Sequence, residues 1–272
     1  MNRMIRIDRH QLCLAALALA SASGTVRGDT ACASGSTAIP DGLGAATRSI
    51  VVGPAGPAVI VSIAVDVQVT HPWVGDLRLV LSGPSGASIV LLDRPGFPSI
   101  GFPGPWGCGG HDIDATFVDG ATQAAESMCS TTAVPVIAGA VAPLEPLDAF
   151  IGTSPTGTWT ISAADLASID AGILGEVCLV LDTAPDCNLN GIPDQSDIAS
   201  GNSLDANGDG VPDECACPGD LNGSGNVNGA DLAIVLGSWG ACGGCPGDTN
   251  SDGVVDAADI AVVLGGWGLC GG

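Results

Sequence analysis

Residues 217–272 are one short unit written twice, and no other feature of the chain limits its fold as tightly. Cys217-Pro218-Gly219-Asp220-Leu221-Asn222 aligns without a gap on Cys245-Pro246-Gly247-Asp248-Thr249-Asn250. Asp231-Leu232-Ala233 then falls on Asp259-Ile260-Ala261, Trp239 on Trp267 and Cys242 on Cys270. Each copy opens with oxygen-bearing side chains at alternate positions, turns at a glycine and continues as a short apolar helix. A hard cation such as calcium takes about six to eight oxygens, which a loop of roughly twelve residues supplies from positions 1, 3, 5, 7, 9 and 12. In the first copy these are Asp220, Asn222, Ser224, the carbonyl of Asn226, Asn228 and Asp231, with Gly225 at the turn. In the second they are Asp248, Asn250, Asp252, the carbonyl of Val254, Asp256 and Asp259, with Gly253 at the turn. The second set holds four carboxylates and the first two, so the second should bind calcium more tightly.

Two loop-plus-helix half-motifs with Asp at the twelfth position resemble the type I dockerin family, an EF-hand-like calcium fold. The resemblance covers the last part of the chain and implies a calcium-folded plug that binds a cohesin-like or cell-surface protein. The sequence departs from the family where recognition occurs. The helix positions before the last ligand are Gly229-Ala230 and Ala257-Ala258, and no basic residue follows them. Calcium binding therefore carries over more directly than cohesin binding.

Residues 183–216 repeat the same chemistry. Asp186, Asn188, Asn190, the carbonyl of Ile192, Asp194 and Asp197 form one candidate ligand set. Asp205, Asn207, Asp209 and Asp213 form a second, which Ala216 leaves without a twelfth ligand. The recurring Gly-Ile-Pro-Asp and Gly-Val-Pro-Asp resemble the calcium loops of thrombospondin type 3 repeats. They imply a calcium-stiffened linker that is disordered without metal, because its carboxylates would repel one another.

Upstream, residues 34–182 read as β-structure. Val61, Ile63, Val65, Val67 and Val69 alternate with smaller or polar residues, the period of a strand with one buried face. Leu77, Leu79 and Leu81 repeat the pattern, followed by a Gly83-Pro84-Ser85-Gly86 turn and an apolar run from Ile89 to Leu92. Trp159 and Ile161 mark a later strand, and Val177, Leu179 and Leu181 close the segment. Short strands between Gly/Pro turns, without a long helical pattern, predict a mainly β chain built on an antiparallel β-sandwich. His71-Pro72-Trp73-Val74-Gly75-Asp76-Leu77, Thr116-Phe117-Val118-Asp119, Gly157-Thr158-Trp159 and Asp170-x-Gly172-x-Leu174 resemble, in that order, the P domain (P/Homo B domain) of proprotein convertases. The resemblance implies a jelly-roll-like sandwich. It departs from the family at Glu176-Val177-Cys178, where a tryptophan is usual; a disulfide at Cys178 would compensate for the lost packing.

Convertases carry a subtilisin-type catalytic domain before the P domain, and no such module is legible here. The protein is therefore expected not to be an enzyme. His71 belongs to the motif and reads as structural, and His111 beside Asp112 and Asp114 is a weak catalytic or metal candidate. Asp76, Asp112, Asp114 and Asp119 read first as turn aspartates, with a further calcium site as the alternative. Trp73 and Trp106 read as core, with sugar stacking as the alternative.

Residues 1–22 carry Arg3, Arg6 and Arg9, an apolar run from Leu12 to Ala20 and Ala20-Ser21-Ala22, the pattern of a secretory signal. Export suits the cysteines: of 11, ten remain without Cys13, an even number for an oxidising compartment. The expected pairs are Cys32–Cys178, Cys108–Cys129, Cys187–Cys215, Cys217–Cys242 and Cys245–Cys270. The last two assume equivalent bonds for equivalent cysteines, and zinc at Cys242-x-x-Cys245 is the competing reading. A formal charge of −22, with no Lys or Arg after Arg94, argues against nucleic acid and anionic lipid and favours cations. These readings converge on a secreted bacterial protein, monomeric, extracellular or attached to the cell surface, not inserted in a membrane. The competing reading is a component of an extracellular hydrolase system, in proteolysis by P-domain association or in polysaccharide breakdown by dockerin association.

Overall fold

The computed structural model describes residues 27–270 except 43, 55, 98–105, 131, 206–207, 209, 216, 243 and 251. The expected signal segment, Asn207 and Asp209 lie outside the described residues. Ten strands build two facing sheets. The first has the order β1 (Arg27–Ala33), β10 (Gly172–Pro185), β4 (Ala58–Thr70), β7 (Ile113–Val118) and β8 (Ile137–Val141), with β2 (Thr37–Ile39) pairing the start of β10. The second runs β3 (Ala45–Val52), β9 (Gly157–Asp165), β5 (Leu77–Ser82) and β6 (Ser88–Asp93). Pairing is antiparallel except between β7 and β8, which makes the first sheet mixed.

One core lies between the sheets. Ile63, Val65, Val67 and Val69 of β4 and Leu174, Val177, Leu179 and Leu181 of β10 meet Leu77, Leu79, Leu81, Trp159 and Ile161 from the other sheet. Trp159 stands edge-on to Phe150 at 4.9 Å between ring centroids, and its indole N–H donates to the Pro155 carbonyl. A fully enclosed tryptophan needs such a partner.

Two bulges shift the expected alternation. The β4–β10 register slips between Asp182 and Thr183, so Ile60 turns inward and Val61 is only half-buried. A slip between Leu79 and Val80 lets the adjacent Leu91 and Leu92 both enter the core. The sheet also begins before residue 34. Arg27–Ala33 shows no apolar alternation, but it pairs with β10 throughout, and Cys32 lies opposite Cys178 and is bonded to it.

Beyond the sandwich come α1 (Asp194–Ser200), α2 (Gly229–Gly237) and α3 (Ala257–Gly265). The tandem copies fold around each other. The two-residue strand β11 (Asn226–Val227) of the first copy pairs with β14 (Gly268–Leu269) of the second. The equivalent β12 (Gly240–Ala241) pairs with β13 (Val254–Val255). Val227, Val235, Val255 and Val263, two equivalent pairs, form the small core.

That exchange corrects two disulfides. The bonds run Cys217–Cys270 and Cys242–Cys245, not Cys217–Cys242 and Cys245–Cys270. Equivalent cysteines do make equivalent bonds, but between copies: the opening of each copy packs against the other's helix, Gly219 on Val263 and Gly247 on Val235. Cys32–Cys178, Cys108–Cys129 and Cys187–Cys215 form as expected. With all four sulfurs of the tandem engaged, zinc at Cys242-x-x-Cys245 has no thiolates to bind. Among the described residues no helix is long and apolar enough to cross a membrane.

Candidate metal centre

The loops share one backbone device. In each, both oxygens of the position-1 aspartate accept backbone N–H groups from the turn that follows. Asp220 accepts from Ser224 (3.0 Å) and Gly225 (2.6 Å), and Asp248 from Asp252 (3.1 Å) and Gly253 (2.9 Å). Asp186 accepts from Asn190 (3.2 Å) and Gly191 (2.9 Å), and Asp205 from Gly208 (2.8 Å) and Gly210 (3.0 Å). The glycine donor at position 6 has positive φ in all four, between 77° and 88°, which no β-carbon would tolerate cheaply. In the three loops where position 4 is described it is also left-handed: Gly208 and Gly223 fit it, whereas Leu189 adopts φ 59° and is 71 % exposed.

The twelfth position closes each tandem loop. Asp231 and Asp259 are fully enclosed. Asp231 accepts from the N–H groups of Leu221, Asn222 and Asn228, and Asp259 from those of Thr249, Asn250 and Asp256. Asn228 and Asp256 cap α2 and α3 in return, each accepting from the N–H two residues on. The candidate ligands at positions 9 and 12 are thus also the capping box that starts the helix. The N–H groups of Asn228 and Asp256 are the first cause holding Asp231 and Asp259 below the ordinary carboxylate range. Both remain anionic at neutral pH.

In the loop of residues 186–197 the roles shift. Asp194 takes the N–H of Cys187, while Asp197 receives the amides of Asn188 and Asn190. Asp186, Asp194 and Asp197 are all buried. Burial is the largest cause raising the Asp194 carboxyl, opposed by the Cys187 N–H and reinforced by the charges of Asp186, Asp197 and Glu214. Glu214 is the residue that sequence spacing missed. The Cys187–Cys215 bond brings it back to the first loop, where Asn188 donates to it at 3.3 Å and Ser203 also donates. The Ser203 hydroxyl is the main cause holding its carboxyl down. Cys187, Asp194 and Cys215 also cluster, but both sulfurs are consumed in their disulfide.

The donor set fits a hard cation: carboxylate, amide, hydroxyl and carbonyl oxygens, with no histidine after His111 and no Lys or Arg after Arg94. In the sandwich the aspartates serve separate ends. Asp112 accepts from the His71 N–H, Asp119 from the Leu147 N–H, and Asp76 lies by Arg94. The turn-aspartate reading therefore holds for Asp112 and Asp119. His111 is exposed on the surface. Trp106 is 70 % exposed rather than core, and its carbonyl accepts from the half-buried Trp73.

The motif residues of the sandwich converge at one buried place. His71 is fully enclosed, with Nε2 3.2 Å from the equally enclosed Asp165 carboxylate and Nδ1 against the Trp73 backbone. A β-carbon on Gly172 would stand 2.4 Å from the His71 ring, and one on Gly75 would stand 2.2 Å from the Cys108 nitrogen. Asp76 lies 4.0 Å from Arg94 and is pushed up to about 6, first by burial and then by Asp165, against Arg94 and His71. Residues 60–181 match the proprotein convertase P-domain. Within that matching segment the His71 ring thus meets Asp165 and Gly172, with Asp76 beside them. Among solved structures, a serine protease of Aeromonas sobria in complex with a chaperone is similar at 16% identity and TM-score 0.35, over 58% of this chain and 26% of that one. A second structure of a serine protease of Aeromonas sobria is similar at 14% identity and TM-score 0.34, over 56% of this chain and 26% of that one. The chain thus spans about a quarter of either protease's length. No curated protein matches the chain.

Proposed function

We propose that this is a secreted, non-catalytic calcium-binding protein whose P-domain sandwich is anchored through a calcium-ordered, dockerin-like tail. One observation carries the reading. Five carboxylates of the tail (Asp186, Asp194, Asp197, Asp231 and Asp259) are buried in a segment without a single Lys or Arg. Backbone N–H groups compensate Asp231 and Asp259 in part, but the segment holds no cationic side chain to balance its net negative charge, which a divalent cation would do. Asp220, Asn222, Ser224, Asn228, Asp231 and the Asn226 carbonyl would hold one calcium. Asp248, Asn250, Asp252, Asp256, Asp259 and the Val254 carbonyl would hold another. Thrombospondin type 3-like loops at residues 186–197, and in part at 205–213, would hold more. The metal supplies charge neutralisation, while the chain itself fixes the turns and starts the helices.

Docking is supported by duplicated, exposed apolar residues at the ends of the helices: Leu236 with Trp239, and Leu264 with Trp267. They suit a protein partner of the cohesin or cell-surface kind. The P-domain match favours a second reading, service within an extracellular proteolytic system. The two separate on one experiment: the immobilised protein is offered envelope and culture proteins with calcium and with chelator, beside a peptidase and polysaccharide hydrolase assay. Calcium-dependent retention without turnover supports anchoring. Turnover lost on His111→Ala, but not on loop mutation, overturns the non-catalytic reading.

A further inference from the structure

We infer that the loop of residues 186–197 is a clamp, so that calcium there sets the orientation of the tail relative to the sandwich. The inference rests on the calcium reading above and goes beyond it, because a stiffened linker does not need to grip the domain it leaves. This one does. The last paired residue of β10, Pro185, lies opposite Ala58, and the ladder continues into the loop, where the Asp186 N–H donates to the Pro57 carbonyl at 3.2 Å. The first candidate ligand, one residue past β10, is therefore itself hydrogen-bonded to the sandwich.

A second grip lies at the turn. Gly191, the position-6 glycine, faces Gly152 of the sandwich backbone to backbone. A β-carbon on Gly152 would stand 2.7 Å from the Gly191 carbonyl oxygen, and one on Gly191 would stand 3.2 Å from that of Gly152. The turn carrying Gly152 is itself fixed to β4, through Gly152 N–H to Ile60 O and Ile60 N–H to Thr153 O, both 2.9 Å. At the equivalent glycines of the tandem, Gly225 and Gly253, a β-carbon would meet nothing within 4 Å, so this approach is particular to the first loop.

The grip extends outward. Gly210 of the following loop sits by Gln195 on α1, Glu214 reaches Asn188, and Cys187–Cys215 ties the ends. Sandwich, first loop and second loop thus form a continuous chain of contacts up to Cys215. Calcium that orders residues 186–197 would seat Gly191 on Gly152. By linkage, the seat would strengthen calcium binding in return.

The test uses the full chain and calcium alone. Hydrogen exchange is followed in peptides covering Pro57 to Ile60 and Phe150 to Ser154, with calcium and with chelator, beside a calorimetric count of bound calcium. Gly152→Ala removes the seat. Gly120→Ala is its control, with nearly the same φ (79° against 76°) but open space around its β-carbon. Calcium is expected to slow exchange at these two rim segments in the wild type and in Gly120→Ala, but not in Gly152→Ala. One calcium step should weaken about 5-fold or more in Gly152→Ala alone. If calcium binds yet the rim does not respond, or responds equally in Gly152→Ala, the clamp is wrong and the calcium reading stands. If no calcium binds, both fall.

Discussion

Replacing Asp76 by Asn should stabilise the sandwich at neutral pH and leave it unchanged in acid. Asp76 is 5 % exposed, beside the buried Asp165–His71 pair, with Arg94 as its cation at 4.0 Å. Its carboxyl is pushed from 3.8 to about 6, chiefly by burial. A folded-state pKa above the unfolded one means that the folded state binds more protons between these values. Stability is then highest below the unfolded value and falls as pH rises through the folded one. Each pKa unit corresponds to about 1.4 kcal/mol, so the ionised group costs the fold up to about 3 kcal/mol above pH 6, or about 1–3 kcal/mol once solvent at Arg94 is allowed for. Asn fills nearly the same volume without charge. Urea denaturation in chelator should show Asp76→Asn about 1–3 kcal/mol more stable than wild type at pH 7.5, with the difference vanishing near pH 4. A less stable variant at pH 7.5, or a difference that does not change with pH, refutes the reasoning.

Removing the Cys217–Cys270 bond, which spans 53 residues, should cost about 4 kcal/mol of tail stability, against about 1.5 kcal/mol for Cys242–Cys245, which spans 3. Paired Cys→Ser variants compared by thermal melting in calcium check this, and equal losses would contradict the exchanged pairing. Gly172→Ala drives a β-carbon into the His71 ring and should cost about 3 kcal/mol, against about 1 kcal/mol for Gly120→Ala; denaturant midpoints decide it. Asp259→Ala removes a candidate ligand and half of the capping box of α3. It should abolish one bound calcium by calorimetry and lower helical circular dichroism, whereas an unchanged calcium count would exclude Asp259 as a ligand.

The strands were legible where burial is one-sided. Leu77, Leu79 and Leu81, or Val177, Leu179 and Leu181, alternate because one face meets the core. Val61 misleads because a bulge across from Asp182 reverses the pattern at that point, and no local residue announces it. Arg27–Ala33 escapes because backbone pairing and one disulfide hold it rather than apolar burial. The candidate ligands of the tandem were legible because twelve-residue spacing is a local property. Glu214 and the Gly152–Gly191 contact were not, since each depends on chain segments that meet only in three dimensions. The tandem disulfides fall between these cases. The duplication shows which cysteines are equivalent, but not that Cys217 packs beside Cys270 of the other copy.

The measurement that bears most directly on the account is equilibrium dialysis of the disulfide-intact protein against calcium, in parallel with magnesium. The account predicts at least two calcium ions per chain, lost together with tail helicity on chelation, and weaker binding of magnesium, whose octahedral demand these loops suit less well. A chain that retains its tail helices in chelator and binds no calcium would contradict it.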